Sequence, residues 1–143
     1  QRQMCIRDRN ILELKSEIFR EVGISSAKSR YIKNFASKVQ RDSNFFDTLN
    51  NLTSEEAFQV LILLDGVGPW SANIIQLFYL GDLNIFPVGD VSLEKAYSLL
   101  YQTTLTSKIK NSYTSLEWAI PYKGILALYL WKYLDTGLLE KTK

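Results

Sequence analysis

Hydrophobic residues recur along the chain at intervals of three and four positions, the spacing of one helical face. The first stripe consists of Ile11, Leu14, Ile18 and Val22. Gly23 follows it and is placed to end the helix, since glycine readily takes the left-handed conformation found at helix ends. The pattern predicts one helix that runs up to Val22.

A second helix is predicted after Ser25 or Ser26, either of which can cap its start. Its apolar stripe is Tyr31, Ile32, Phe35, Ala36 and Val39. Basic residues occupy its other faces, namely Lys28, Arg30, Lys33 and Lys38. These charges fit a solvated face or contact with DNA, and the pattern alone favours the solvated face.

Polar segments separate the remaining helices. Residues 42–51 are polar and turn-rich, after which Thr53 and Glu56 have the spacing of a capping box. The apolar run 57–64 that follows predicts a helix buried on nearly all sides.

Proline, glycine and aspartate mark the later boundaries. Pro69 suits the first turn of a helix that reaches about Leu80, and residues 81–89 are predicted to form a loop. Asp90 is placed as the N-cap of the next helix, and a last helix is predicted at about 122–134. The fold class predicted from this patterning is all-α.

The composition narrows the chemistry. The 143 residues contain no histidine and only one cysteine, Cys5. A Ser-His-Asp triad, a Cys-His pair, a His/Cys zinc site, an iron-sulfur cage and a disulfide framework therefore cannot be built from them. General acid-base catalysis would have to use Asp, Glu, Lys or Tyr. The formal charge of +2 permits a polyanionic partner without requiring one.

The first nine residues fit none of the helical patterning. The run from Met4 to Arg9 resembles a translated sequencing-adapter remnant. We interpret residues 1–9 as a non-native leader and residues 10–143 as one partial domain, incomplete at its N-terminus. No apolar run approaches the 18 residues of a membrane span, so no membrane partner is expected.

The most specific local feature is Gly66-Val67-Gly68 between two predicted helices. A G-x-G between helices is more often simply a tight turn. Bare glycine backbone beside the helix that starts at Pro69 also suits a phosphate oxygen. By itself the motif leaves both interpretations open.

The segments 64–72 and 86–96, which contain the hairpin glycines and Asp90, resemble the helix-hairpin-helix GPD superfamily of DNA base-excision glycosylases. The resemblance extends back through 23–32 and forward to 121–131, and so covers most of residues 10–135. It implies the helix-hairpin-helix GPD fold and a monomer that binds double-stranded DNA containing a damaged base. The expected location is the cytoplasm, with the nucleoid, in a prokaryote, or the nucleus in a eukaryote.

The residue two places after the second hairpin glycine separates the mechanisms of this superfamily. Bifunctional members such as endonuclease III have a lysine there, which attacks the sugar and allows strand cleavage. This chain has Trp70. It therefore resembles most the monofunctional 3-methyladenine DNA glycosylase II branch, which implies base removal without lyase activity and without a required cofactor.

The resemblance also assigns roles to individual residues. Asp90 is expected to stabilise the cationic sugar and to orient the attacking water, although a plain helix cap explains the same residue. The expected base pocket consists of Trp70, Ile74 and Trp131. For these three the alternative is core packing.

Backbone groups of the hairpin are the expected DNA contacts. The resemblance assigns the amides of Gly66, Gly68 and Trp70 to one phosphate, with Lys123 as a further point charge. It assigns the carbonyls of Ile62, Leu64 and Val67 to a structural Na⁺ or K⁺. Two rival functions stay open: a non-catalytic helix-hairpin-helix DNA-binding module or inactive fragment, and a glycosylase for mismatched or oxidised bases.

Overall fold

The computed structural model describes residues 10–100 and 113–136. Within these ranges the chain consists of helices, turns and loops without a strand, as the sequence predicted. No helix in the same ranges is both long and apolar enough to cross a membrane. The segment interpreted as a non-native leader, residues 1–9, lies outside the described residues.

The chain divides into two compact units, residues 1–67 and 68–143. In the first unit, a short helical segment at residues 10–13 is followed by α1 (Ser16–Glu21), α2 (Ser26–Arg41), α3 (Phe45–Asn50) and α4 (Ser54–Ile62). Their inward faces bury Phe19, Ala36, Val39, Phe45, Leu49, Ala57 and Leu61. The stripe predicted for α2 supplies Ala36 and Val39 to this core.

The predicted first helix is interrupted. Residues 10–13 are helical, residues 14 and 15 are not, and α1 begins only at Ser16. The Lys33 amine, from α2, donates to the carbonyl of Leu14. This tertiary hydrogen bond satisfies a backbone group at the break, whereas the apolar spacing continues through it. Gly23 ends the segment with φ 79°, as predicted.

Two further expectations for the first unit need correction. Residues 42–51 contain α3, because Phe45 and Leu49 are buried among the neighbouring helices despite the polar residues around them. The run 57–64 is not buried on all sides, since Leu63 is 83% exposed. Ser25 does cap α2, with its hydroxyl accepting from the Lys28 amide.

The capping box at the start of α4 is confirmed. The Glu56 amide donates to the Thr53 hydroxyl, and the Glu56 carboxylate accepts from the Thr53 amide at 2.9 Å. The carboxylate also accepts from the Thr53 hydroxyl. These hydrogen bonds to the Thr53 side chain and backbone lower the pKa of Glu56 from its usual value.

The second unit contains α5 (Pro69–Phe78), α6 (Val91–Leu100), a 3-10 helix (Tyr113–Ala119) and α7 (Lys123–Asp135). Helix α7 packs against both α6 and the 3-10 helix. The core of this unit consists of Phe86, Leu93, Ala96, Leu116, Ala119, Ala127 and Leu130. The last predicted helix is confirmed to within one residue at each end, and residues 81–89 form the predicted loop.

Gly124 lets the start of α7 approach that loop closely. Its amide donates to the Leu83 carbonyl at 2.7 Å. A Cβ at Gly124 would lie 2.9 Å from the same carbonyl oxygen and 2.5 Å from a methyl group of Leu77. A glycine is therefore needed to place α7, which carries Trp131, against the loop that ends at Asp90.

Candidate active site

Asp90 begins α6 as an N-cap. Its Oδ1 accepts a hydrogen bond from the Leu93 amide at 2.9 Å, and its carbonyl accepts from the Glu94 amide at 3.0 Å. The side chain thereby satisfies one of the amides that a helix start leaves without a partner. The predicted cap is confirmed, and it fixes one carboxylate oxygen of a half-buried aspartate.

Two indole groups from other helices also donate to this carboxylate. Trp70 Nε1, on α5, donates to Asp90 Oδ2 at 2.9 Å. Trp131 Nε1, on α7, donates to Asp90 Oδ1 at 3.3 Å, a longer and weaker hydrogen bond. Three elements of the second unit therefore converge on one side chain.

These contacts determine what the carboxylate can do chemically. A carboxylate has about four lone-pair sites, and three donors occupy three of them here. Both indoles and the amide donate, so they hold the carboxylate in one orientation. One acceptor position on Oδ2 is left for an approaching water or for a developing positive charge.

An exposed aromatic surface lies next to the carboxylate. The ring of Phe78 stacks on that of Trp131, with centroids 6.0 Å apart and planes 23° from parallel. Phe78 is 62% exposed and Trp70 is 45% exposed. Large apolar groups with this much exposure are typical of a binding surface rather than of a core.

Phe78 was not among the predicted pocket residues. Trp70, Ile74 and Phe78 follow one another at intervals of four, so they lie along one face of α5. That spacing is the signal that identifies Phe78 in the sequence. Ile74 lies between the two aromatic residues on this face and is half-buried.

In the first unit, helix α2 holds the start of the glycine turn. Asn34 Nδ2 donates to Asp65 Oδ2 at 2.6 Å. Gly66 has φ 81° and lies against the ring of Tyr31, where a Cβ would come within 2.6 Å of the ring carbon Cγ. Glycine is thus required here both for the backbone conformation and for the close contact.

Gly68 and Trp70 begin α5 in the second unit. Gly68 is the N-cap with no side-chain hydrogen bond, and Pro69 occupies the first helical position, as predicted. The first helical bond runs from the Ala72 amide to the Gly68 carbonyl, so the Trp70 amide precedes the helical ladder. Lys123, the other predicted DNA contact, is half-buried at the start of α7.

The carbonyls predicted to hold a cation follow one another at the end of α4. Ile62 is the last residue of that helix, and the Leu64 carbonyl accepts from the Val67 amide at 3.0 Å, which leaves its second lone pair. The helix-end argument, that carbonyls there lack helical partners and carry partial negative charge, applies to Ile62, whereas Leu64 and Val67 lie in the turn beyond α4. All three offer backbone oxygens, which are the kind of ligand that Na⁺ or K⁺ would take. Among residues 10–100 and 113–136, no cluster of acidic, histidine or cysteine side chains could hold a metal ion.

Comparison with known proteins shows which proteins this chain resembles in sequence and fold. No model of a known protein family matches the chain. A Bacillus subtilis protein assigned as a DNA-3-methyladenine glycosylase is 28% identical over 87% of this chain and 44% of its own length. DNA-3-methyladenine glycosylase 1 of Schizosaccharomyces pombe is 27% identical over 85% of this chain and 54% of its own length.

Solved structures share the fold. The DNA-3-methyladenine glycosidase of Bacillus halodurans has a TM-score of 0.74 and 27% identity, over 94% of this chain and 61% of that one. The 3-methyladenine DNA glycosylase of Schizosaccharomyces pombe, solved with abasic DNA, has a TM-score of 0.78 over 90% of this chain and 63% of that one, at 24% identity.

These matches confirm the resemblance and the fold class predicted from the sequence. In sequence and in helical fold the chain is similar to DNA-3-methyladenine glycosylases. It spans about half the length of the curated relatives that it matches.

Proposed function

We propose that the protein is a monofunctional DNA glycosylase that removes alkylated, 3-methyladenine-type bases by hydrolysing the N-glycosidic bond. The observation that carries this proposal is the Asp90 carboxylate, held by two indole N–H groups and one backbone amide beside exposed aromatic rings. The similarity to DNA-3-methyladenine glycosylases supports the same activity.

The chemistry follows from the charge that develops on the sugar. Alkylation of a ring nitrogen makes the purine cationic and therefore a good leaving group. As the bond to C1′ breaks, the base takes the bonding electrons and the sugar becomes a cation. Asp90 stabilises that cation, and its remaining acceptor position orients a water and takes the proton as the water adds to C1′.

The target base must leave the duplex to reach Asp90. Flipping costs a few kcal/mol, which stacking on aromatic side chains offsets in part. Trp70 and Trp131 present aromatic faces to a cationic base, an attraction of about 0.5–2 kcal/mol that a neutral base lacks. Ile74 and Phe78 extend the apolar surface along α5. This arrangement selects damaged bases by charge, without reading sequence.

Base removal is expected to occur without strand cleavage. A lyase step needs an amine that forms a Schiff base with the sugar, and Trp70 occupies the position that has a lysine in bifunctional members. The indole nitrogen of Trp70 donates to Asp90 and is not a nucleophile. The product is then an abasic site in an intact strand.

Binding to double-stranded DNA is expected to involve the backbone of the hairpin, with the protein acting as a monomer. The amides of Gly66, Gly68 and Trp70 are the proposed donors to one phosphate, and Lys123 adds a point charge. The Schizosaccharomyces pombe structure with abasic DNA supports a DNA partner. A Na⁺ or K⁺ on the carbonyls of Ile62, Leu64 and Val67 would stiffen the turn and supply positive charge, and the proposed reaction requires no other cofactor.

The test compares base release by the full-length protein and its Asp90→Asn variant. The substrate is a duplex oligonucleotide carrying a methylated purine, under single-turnover conditions. We expect the variant to lose at least about 100-fold in rate while it still binds the duplex. Asp82→Asn is the matched control, since Asp82 lies in the same loop and caps the Asn84 amide in a similar way.

Equal rates for the wild type and Asp90→Asn would exclude the mechanism. Duplex binding without base release by either protein would favour the non-catalytic binding module. Release of an oxidised or mismatched base in preference to the methylated one would assign the site to that class of lesion.

A further inference from the structure

Two side chains of α2 contact the segment at which the glycine turn starts. Asn34 hydrogen-bonds to the Asp65 carboxylate, and the ring of Tyr31 lies directly against the Gly66 backbone. Tyr31 and Asn34 are three residues apart and therefore project from the same side of α2. Consecutive residues of the turn are thus each held by one residue of the same helix.

We propose that Tyr31 and Asn34 are positioning residues that fix the Asp65-Gly66 segment for binding to the DNA backbone. We call these four residues the α2 brace. The proposal rests on the proposed function, because it concerns the turn whose Gly66 amide is expected to donate to a phosphate. The two bracing residues act through the turn and have no assigned contact with DNA.

The contact between Asn34 and Asp65 matters for the electrostatics of phosphate binding. Asp65 places a negative charge one residue before an amide that is expected to meet a phosphate, and two like charges repel. The neutral amide of Asn34 donates to Asp65 Oδ2 and holds the carboxylate against α2. A lysine or arginine here would neutralise Asp65, whereas asparagine fixes its orientation without adding a charge.

The contact between Tyr31 and Gly66 restricts the conformations that the turn can adopt before it binds DNA. A turn that is disordered before binding loses affinity, because its ordering cost must be met when DNA binds. The φ of 81° at Gly66 is open to glycine, but glycine also visits many other conformations. The Tyr31 ring packs where a Cβ would stand and restricts those alternatives.

The Asn34–Asp65 hydrogen bond is exposed, so it contributes little to global stability. Its loss should therefore appear in DNA affinity rather than in thermal unfolding. A residue with a merely structural role would show the opposite result. This difference makes the proposal testable by measurements on the full-length protein.

The experiment is a double-mutant cycle read by fluorescence anisotropy with a duplex that contains an abasic-site analogue. Its variants are Asn34→Asp, Asp65→Asn and the combination of both, which exchanges the two side chains and restores an asparagine–aspartate pair. Asn34→Asp places two carboxylates together and should weaken binding by about 10-fold or more, and Asn34→Ala by about 3- to 10-fold. The exchanged pair should bind within about twofold of the wild type.

Three further readouts accompany the cycle. Gln40→Ala removes an exposed amide from the same helix and should bind like the wild type. The melting temperatures of the Asn34 variants should agree with that of the wild type within about 2 °C. Amide hydrogen exchange at Gly66 and Val67 should be faster in Asn34→Ala than in the wild type.

The brace is overturned if the wild type binds the duplex and Asn34→Asp binds equally well, or if the exchanged pair binds no better than Asn34→Asp. Loss of binding that is matched by a lowered melting temperature also overturns it in favour of a structural role. If the wild type itself binds no duplex, the proposed function fails, and faster exchange at Gly66 in Asn34→Ala would then leave a brace without a role in DNA binding.

Discussion

Asp90 and Asp65 each lie beside a loop that leads into a helix, and the structure holds them in different ways. Asp90 accepts from three donors on three helices, two of them indole groups, and is half-buried. Asp65 is exposed and accepts from the Asn34 amide on one helix. The difference follows the chemistry expected at each place.

A carboxylate that acts on a reacting atom must be fixed in position, because catalysis depends on charge that is already oriented when the transition state forms. A carboxylate in a binding turn only has to be kept from disturbing the contact. One neutral donor suffices for that purpose. Under the proposed function, the number of donors matches the role of each aspartate: three donors for the catalytic Asp90, and one for Asp65 in the turn that binds DNA.

Among these changes, removing the indole donors should have the largest effect on the rate of base release. Trp70→Phe retains an aromatic face but loses the 2.9 Å hydrogen bond, and we expect base release to slow by about 10-fold. Trp131→Phe loses the 3.3 Å hydrogen bond and should slow it by about threefold. Single-turnover rates measure both effects. If the double variant released the base as fast as the wild type, the two indole hydrogen bonds would not be needed to position Asp90 for the reaction.

Gly66→Ala should be the most costly change to the binding turn. A side chain at φ 81° is strained, and the added Cβ would collide with the Tyr31 ring, so we expect a loss of about 3 kcal/mol in unfolding free energy. Gly23→Ala is the matched control, because Gly23 has φ 79° with no atom within 4 Å of its Cβ position. It should lose only about 1 kcal/mol. Chemical denaturation measures both losses. Equal losses for the two variants would show that the Tyr31 contact adds nothing to the cost of a side chain at Gly66.

Gly124→Ala tests whether close packing of α7 against the loop before Asp90 supports the Asp90 site. Its Cβ would lie 2.5 Å from a Leu77 methyl and 2.9 Å from the Leu83 carbonyl oxygen, so we expect a loss of about 2 kcal/mol. Base release should also slow, since α7 carries Trp131. Gly68→Ala is the stability control, because Gly68 has a negative φ and no neighbour within 4 Å. A Gly124→Ala protein as stable as Gly68→Ala would refute the close packing.

The smallest effect is expected at the Thr53–Glu56 capping box, which is part of neither the Asp90 site nor the Asp65 turn. The pKa of Glu56 is lowered by its hydrogen bonds to Thr53, so this contribution to stability is present above the usual value of 4.5 and is lost as the pH falls through the lowered pKa. Thr53→Ala should therefore lower the melting temperature by a few degrees at pH 7 and by less at pH 3. Glu55→Gln, in the same helical turn, is the control, and an equal deficit at both pH values would contradict the assignment.

Local features were predictable where neighbouring residues decide them. The Thr53–Glu56 box, the Ser25 and Asp90 caps and Pro69 at the start of α5 all depend on residues within about one helical turn. Two of the predictions that were wrong, at Leu14 and at residues 42–51, fall where a tertiary contact overrides the local pattern. Lys33 donates to the Leu14 carbonyl at the break, and burial of Phe45 and Leu49 stabilises α3 within a polar segment.

By itself the sequence determined the helical class, most helix boundaries, the glycine turn and the position of Asp90, because these depend on spacing and on short-range hydrogen bonds. Only the tertiary structure decided what surrounds the two aspartates. The indoles that converge on Asp90 come from residues 20 and 41 positions away, and the amide on Asp65 from 31 positions away. Contacts over such distances depend on how helices pack, which no periodicity along the chain records.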